Sequence, residues 1–232
     1  MTEPDGRPLA LVTGASRGIG RAVAWAMAPS HDLLLGGRDT AALEALATEL
    51  PGSRPWPVDL TDSAAVAAAV GGIERLDVLV HSAGVGILGT VADTPAQTWR
   101  HQFEVNVVAV AELTRLLLPA LRTARGRVVM LNSGAGLNAR PGWASYAASK
   151  FALRAFADAL RAEEAENGVR VTSVHPGRVD TEMQRAVVDQ EGDVYRPEKY
   201  LRPESVAGAV LLAVTAPEDA ALTDLVLRPA GS

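Results

Sequence analysis

Apolar runs of about four to seven residues alternate along this chain with longer stretches whose apolar positions recur at helical spacing. Leu9–Thr13, Leu33–Leu35, Arg54–Val58, Leu76–His81, Arg127–Asn132, Val169–His175 and Leu222–Leu227 read as strands. Between them Gly18–Ala28, Thr40–Leu50, Asp62–Val70, Pro95–Arg122, Ala144–Glu166 and Pro203–Thr215 read as helices. Pro29, Pro51-Gly52 and Asn167-Gly168 mark helix ends. A strand that is apolar at every position is buried on both faces, the habit of a parallel sheet with helices on either side. Pro55 and Pro57 predict that the third strand is short or lies at an edge. No linker interrupts the alternation, so the pattern predicts one doubly wound α/β domain over residues 1–232, with about seven parallel strands. Residues 178–202 fit the rhythm least: they are polar, hold Gly192, Pro197 and two tyrosines, and predict a lid over a substrate.

Composition narrows the chemistry. The 22 basic and 27 acidic side chains give a net charge of −5, and 48% of residues are hydrophobic. That excludes a largely disordered chain, and without a long Lys/Arg run it argues against a nucleic-acid partner. With no cysteine there are no disulfides, thiolate nucleophiles or thiolate metal sites. The four histidines (His31, His81, His101, His175) are too scattered to form a ligand cluster, so no metal is expected. Met1–Pro8 lacks the apolar core of a signal peptide, and no run reaches the roughly 18 apolar residues of a membrane span. The expectation is a cytoplasmic protein with no membrane partner.

Two places carry candidate chemistry. After the first strand comes Thr13-Gly14-Ala15-Ser16-Arg17-Gly18-Ile19-Gly20, with glycines spaced G-x-x-x-G-x-G. Glycines let backbone approach a phosphate closely, and a helix N-terminus offers free N–H groups and a positive dipole end. The alternative is a packing turn. In the second place, Tyr146 and Lys150 stand four apart on one helix face. A tyrosine pKa of about 10 is too high for a general base at neutral pH, but an ammonium within about 4–6 Å favours the phenolate. Ser133 lies thirteen positions before Tyr146, at the mouth of the fifth strand, where ligands of open α/β sheets bind. Asn106 interrupts an apolar helical run 27 positions before Ser133, and one reading is a buried, backbone-bonded amide.

Thr13–Gly20, Asp59, His81-Ser82-Ala83-Gly84, Asn106, Ser133, Tyr146-x-x-x-Lys150 and Pro176-Gly177 with Thr181 resemble, in order and spacing, the classical short-chain dehydrogenases/reductases. The resemblance covers nearly the whole chain. It implies a Rossmann-type fold, a nicotinamide cofactor and a homo-oligomer, dimer or tetramer. It implies that Ser133 binds the substrate oxygen, Tyr146 exchanges the proton, Lys150 holds the cofactor ribose, and Asn106 holds a water beside Lys150. It also implies a cofactor site made of Gly14, Ser16, Arg17, Gly18, Ile19, Gly20, Arg38, Asp59, Leu60, Ser82, Ala83, Gly84, Tyr146, Lys150, Pro176, Gly177, Val179 and Thr181. In that set Asp59 would bond the adenine, unless it caps the following helix, and Thr181 the carboxamide. Where the family carries Asn-Asn-Ala-Gly, this chain has His81-Ser82-Ala83-Gly84, which removes the asparagine side chains.

The second strand ends Leu35-Gly36-Gly37-Arg38-Asp39, with no acid to bond the ribose hydroxyls. Arg38 and Arg17 suit a 2′-phosphate, so the expected cofactor is NADP(H) in preference to NAD(H). The competing reading makes both surface arginines, with Arg38 paired to Asp39. The expected reaction moves hydride between NADP(H) and a small carbonyl or secondary-alcohol substrate. Val85, Ile87, Ala135, Leu137, Trp143, Met183 and Tyr195 would give its pocket apolar walls. A non-catalytic NADP(H)-sensing regulator is the alternative, and a dehydratase or epimerase a third reading. His175 reads as a strand-end residue before Pro176-Gly177.

Overall fold

A computed structural model describes residues 6–230; Met1–Asp5, part of the stretch that predicts no leader, lie outside the described residues. The elements run β1 (Leu9–Thr13), α1 (Gly18–Met27), β2 (Asp32–Gly37), α2 (Thr40–Glu49), β3 (Ser53–Pro57), α3 (Ser63–Val70) and β4 (Val78–His81). Then follow α4 (Ala96–Phe103), α5 (Ala109–Ala124), β5 (Arg127–Leu131), α6 (Ala144–Glu164), β6 (Arg170–Pro176), α7 (Glu182–Glu191), α8 (Pro203–Thr215) and β7 (Asp224–Leu227).

The seven strands form one sheet in the order β3-β2-β1-β4-β5-β6-β7, with every pair parallel. The two-proline strand β3 is at the edge, as its missing N–H groups demand. Winding starts at β1, moves outward to β3, then restarts on the other side of β1 with β4. Val12 has Leu35 as its register partner on one side and Val80 on the other. The reversal opens a crevice beyond the C-terminal ends of β1 and β4, the usual ligand site of such sheets. Alternate residues of each strand feed two cores. Ala10 and Val12 pack with Val23 and Met27 of α1 and with Val206 and Val210 of α8. Leu9 and Leu11 pack with Leu113 and Leu117 of α5 and Leu153 and Leu160 of α6. Both faces are covered, which is why the strands read as unbroken apolar runs.

Two elements depart from the sequence expectation. The helical stretch foreseen over Pro95–Arg122 is split by one π-turn, Glu104–Val108, with buried Asn106 at its centre. Such an inserted turn re-aims side chains at functional sites. The 178–202 segment contains a full helix, α7, capped by Thr181, whose Oγ1 accepts the Gln184 N–H. Among the described residues no helix is long and apolar enough to cross a membrane.

Candidate active site

Each glycine of the first turn has its own steric reason. Gly14 adopts φ +66°, and a Cβ there would press on the Ala83 backbone at 3.0 Å. A Cβ on Gly20 would fall on the Gly14 carbonyl oxygen. Gly18, at φ +53°, faces Thr181 Cγ2, so the start of α7 rests on the glycine-rich turn. Thr13 Oγ1 accepts from the Ser82 and Ala83 N–H groups at 3.0 and 3.1 Å and donates to Val80 O, stapling the β1 exit to the β4 exit. Thr13 was not among the foreseen site residues. Its signal was a hydroxyl ending an otherwise apolar strand. No side chain caps α1, so its first N–H groups remain available to an anion. Ile19 and Val179 line the cleft beside Pro176, Gly177 and Thr181.

The outer cofactor residues lie on the surface. Arg38 is exposed at the end of β2, and Asp39 is occupied as the cap of α2, accepting from Ala42 N–H at 3.0 Å. Arg17 pairs with Glu182 of α7 at 2.6 Å, both side chains about two-thirds exposed. Asp59 does not cap α3; Asp62 does. Asp59 accepts from the Thr61 N–H and hydroxyl, which with the Arg38 charge hold its carboxyl below the usual range. Leu60 packs on the α5–α6 core, and Ser16 is half-buried in the turn.

Ser133, Tyr146 and Lys150 do come together, on the wall of a cleft of about 550 Å³ that Ser82, Gly84, Val85 and Trp143 also line. Ser133 follows β5 and caps a short 3₁₀ turn, its Oγ accepting the Ala135 N–H at 3.1 Å. Its hydroxyl faces the Tyr146 phenol and favours the ionised ring. Lys150 Nζ donates to Leu131 O at 3.0 Å and lies 6.0 Å from the Tyr146 ring centroid. The expected acidification of Tyr146 is not found in the protein part alone. Burial pushes the phenol up, with only the Ser133 hydroxyl pulling it down. The same burial lowers Lys150 to about 8, because the ammonium has lost its water without gaining a carboxylate.

Asn106 is committed to the backbone. Its Oδ1 accepts from Val85 N–H at 2.9 Å, and its Nδ2 donates to Val85 O and Ser149 Oγ, each at 3.0 Å. One lone pair of Oδ1 is left for a water. Gln102, one helical turn earlier, makes the same clamp on Ile87 and donates to Ser145 Oγ at 2.6 Å. Two amides on the α4 side thus hold the 85–87 segment against two serines of α6 that flank Tyr146. Sequence reasoning missed Gln102, Ser145 and Ser149. Their signal is a matched i, i+4 spacing in both helices, each pair separated by 43 residues.

The His81 departure also has a physical role. His81 Nε2 lies 2.9 Å from Thr114 Oγ1, and Thr114 itself donates to Val110 O, so Nε2 carries the hydrogen. Complete burial lowers the ring to about 3 and keeps it neutral. The Ser82 and Ala83 amides that follow are bonded by Thr13. Of the expected apolar walls, Val85, Ala135, Trp143 and Met183 line the cleft. Ile87, Leu137 and Tyr195 do not: Ile87 is held by Gln102, and the Tyr195 hydroxyl bonds Asp180 while Tyr200 takes its place on the wall.

The residues fit a dinucleotide. Glycines clear backbone approach at Gly14 and Gly20, the α1 N-terminus is uncapped, and the cleft joins that turn to Tyr146 and Lys150. The family described as short chain dehydrogenase matches residues 8–192. The chain is 35% identical over 235 residues to "Glycine betaine reductase ATRR" of Emericella nidulans, covering 95% of this chain but only 18% of that protein. It is 34% identical over 229 residues to "Uncharacterized short-chain type dehydrogenase/reductase y4eK" of Sinorhizobium fredii, covering 96% and 92%. Among solved structures, an alcohol dehydrogenase of the archaeon Thermococcus sibiricus, complexed with 5-hydroxy-NADP, superposes with TM-score 0.86 at 28% identity, covering 97% and 98% of the two chains. On the sheet order, the glycine turn, the Ser–Tyr–Lys wall and these likenesses together, the chain belongs to the classical short-chain dehydrogenase/reductase family of oxidoreductases.

Proposed function

We propose that the protein is an NADP(H)-dependent reductase or dehydrogenase acting on a carbonyl or secondary alcohol. The observation that carries this is the convergence of Ser133, Tyr146 and Lys150 on one cleft wall. A bound nicotinamide supplies the hydride. Ser133 has its Oγ lone pair engaged by Ala135 N–H, which leaves its hydroxyl hydrogen to donate to a carbonyl oxygen. Tyr146 gives that oxygen its proton, and the raised pKa keeps the proton on the phenol until the substrate demands it. Lys150 holds the ribose and Asn106 keeps Val85 in place beside it, with its spare lone pair available to a relay water. Glycines, uncapped α1 amides, Arg17 and Arg38 hold the dinucleotide.

Preference for NADP(H) is supported by the absence of an acid at Gly37, by exposed Arg38 and by the NADP-type ligand of the Thermococcus neighbour. Arg17 must exchange Glu182 for the phosphate, a small cost for an exposed pair. The apolar share of the wall, Val85, Leu88, Trp143 and Met183, supports a substrate with an apolar body. A panel of ketones and aldehydes with NADPH and NADH tests all of this. NADPH-dependent reduction that Tyr146→Phe abolishes is the expected result. Cofactor binding without turnover on any carbonyl would favour the sensing regulator, and a higher kcat/KM with NADH would reverse the cofactor assignment.

A further inference from the structure

His175, at the end of β6, is completely buried and the proposed chemistry does not use it. Its ring bridges two neighbouring strands. Nε2 lies 2.9 Å from Asp224 Oδ1, on the first residue of β7, and Nδ1 lies 3.3 Å from the carbonyl oxygen of Ser133, beyond the end of β5. Both partners are acceptors, so the ring bonds each through a nitrogen that donates its hydrogen. β7 holds His175 a second time, through Arg228 Nη1, which donates to His175 O at 3.0 Å. The Arg228 guanidinium also lies where a Cβ on Gly134, the residue after Ser133, would approach it to 3.2 Å.

The other polar atoms of Ser133 are held from within its own turn. Its N–H donates to Asn132 Oδ1, its Oγ accepts from Ala135, and its carbonyl accepts from Gly136. The His175 ring adds a side-chain link from β6 to Ser133 itself, one residue beyond the backbone bond from Asn132 N–H to Val174 O at 2.8 Å. We propose that His175 and Asp224 form a brace that positions the Ser133 turn, so that the last strand, β7, is part of the active site. Neither residue touches substrate. The brace sets where the Ser133 hydroxyl stands relative to Tyr146, and a shift of about 1 Å at such a group can lower turnover by about 100-fold.

The inference rests on the proposed role of Ser133, and the test separates the two. His175→Leu, His175→Gln, Asp224→Ala and Ser133→Ala are compared for kcat and KM with a reducible ketone, NADPH affinity by fluorescence, and melting temperature. His175→Leu should lower kcat by roughly 30-fold or more while NADPH affinity stays unchanged, within the range for misplaced groups. His175→Gln, which keeps a donor, should restore most of the loss. Asp224→Ala, at an exposed position, should lower kcat about fivefold without lowering the melting temperature, a fraction of the same misplacement effect. The brace is overturned if folded His175→Leu turns over like the parent, or if kcat and NADPH affinity fall together. If His175→Leu does not fold, Asp224→Ala decides: an unchanged kcat overturns the proposal. Full activity in Ser133→Ala would remove the reading of Ser133 itself; an inactive Ser133→Ala beside an unaffected His175→Leu would remove only the brace.

Discussion

On the β1 side of the cleft the groups proposed to hold the cofactor are backbone amides, and the residues that shape it are those without a side chain: Gly14 lies against Ala83 and Gly20 against Gly14. On the β5–α6 side the groups proposed to act are side chains, and Asn106, Ser149 and Lys150 are all 5% exposed or less. The first side depends on shape: one added carbon has nowhere to go. The second depends on desolvation: a polar group there is tolerable only while its partners stay in place. So the two sides should fail differently, the first through steric strain and the second through protonation and lost hydrogen bonds.

Acid should expose the second kind of failure most. His81 is held neutral at a pKa of about 3, against 6.5 for the unfolded chain. Its folded-state pKa is depressed, so this contribution is complete above pH 6.5 and is lost as pH falls toward 3. At 1.36 kcal/mol per unit the loss reaches up to about 5 kcal/mol. Denaturant titrations from pH 7 to pH 4 should show it, and His81→Leu should flatten the curve; an equally steep curve in that variant would count against the assignment. Next in size, Tyr146→Phe should lower kcat about 10³-fold, near 4 kcal/mol, with NADPH affinity kept. Gly20→Ala attacks the other side. Its methyl meets the Gly14 carbonyl, so it should cost about 3 kcal/mol of stability and weaken NADPH binding. Lys150→Met should do the reverse, abolishing turnover while raising stability at pH 7 by about 2 kcal/mol, because it removes an ammonium lowered to about 8 by burial alone. That gain should shrink as pH rises from 8 toward 10.5, where the folded protein no longer holds the charge. Smallest is the control: Gly208→Ala, in α8 with nothing within 4 Å, should stabilise by about 0.5–1 kcal/mol, showing that Gly20 fails through crowding and not through the added carbon as such.

How legible each part was follows from the same contrast. The strands were readable because both-face burial leaves no alternation, and the glycine turn because its spacing records a steric need. Helix α7 was not, because only Gln184, Val187 and Val188 of its ten residues are buried, too few to print an apolar stripe. Asn106 was visible as an oddity in an apolar run, but its clamp on Val85 was not, since an amide's partner may lie anywhere in the chain. Gln102 carried only its i, i+4 spacing to Asn106, which names no partner. Arg17 was readable as a cation beside the turn, but its pairing with Glu182, 165 residues away, was not.

Chain order alone therefore determined the parallel sheet and the tight glycine turn, because each depends on local spacing or on burial averaged along a strand; Ser133, Tyr146 and Lys150 were singled out together by the family resemblance. The folded arrangement decided which polar groups meet: Thr13 with Ser82 and Ala83, the two amides with the two serines, His175 with Asp224 and Ser133. It also decided the direction of the pKa shifts, with Tyr146 raised and Lys150 lowered. A charge's energy depends on the water it has lost and the partners it has gained, and neither is set by sequence neighbours.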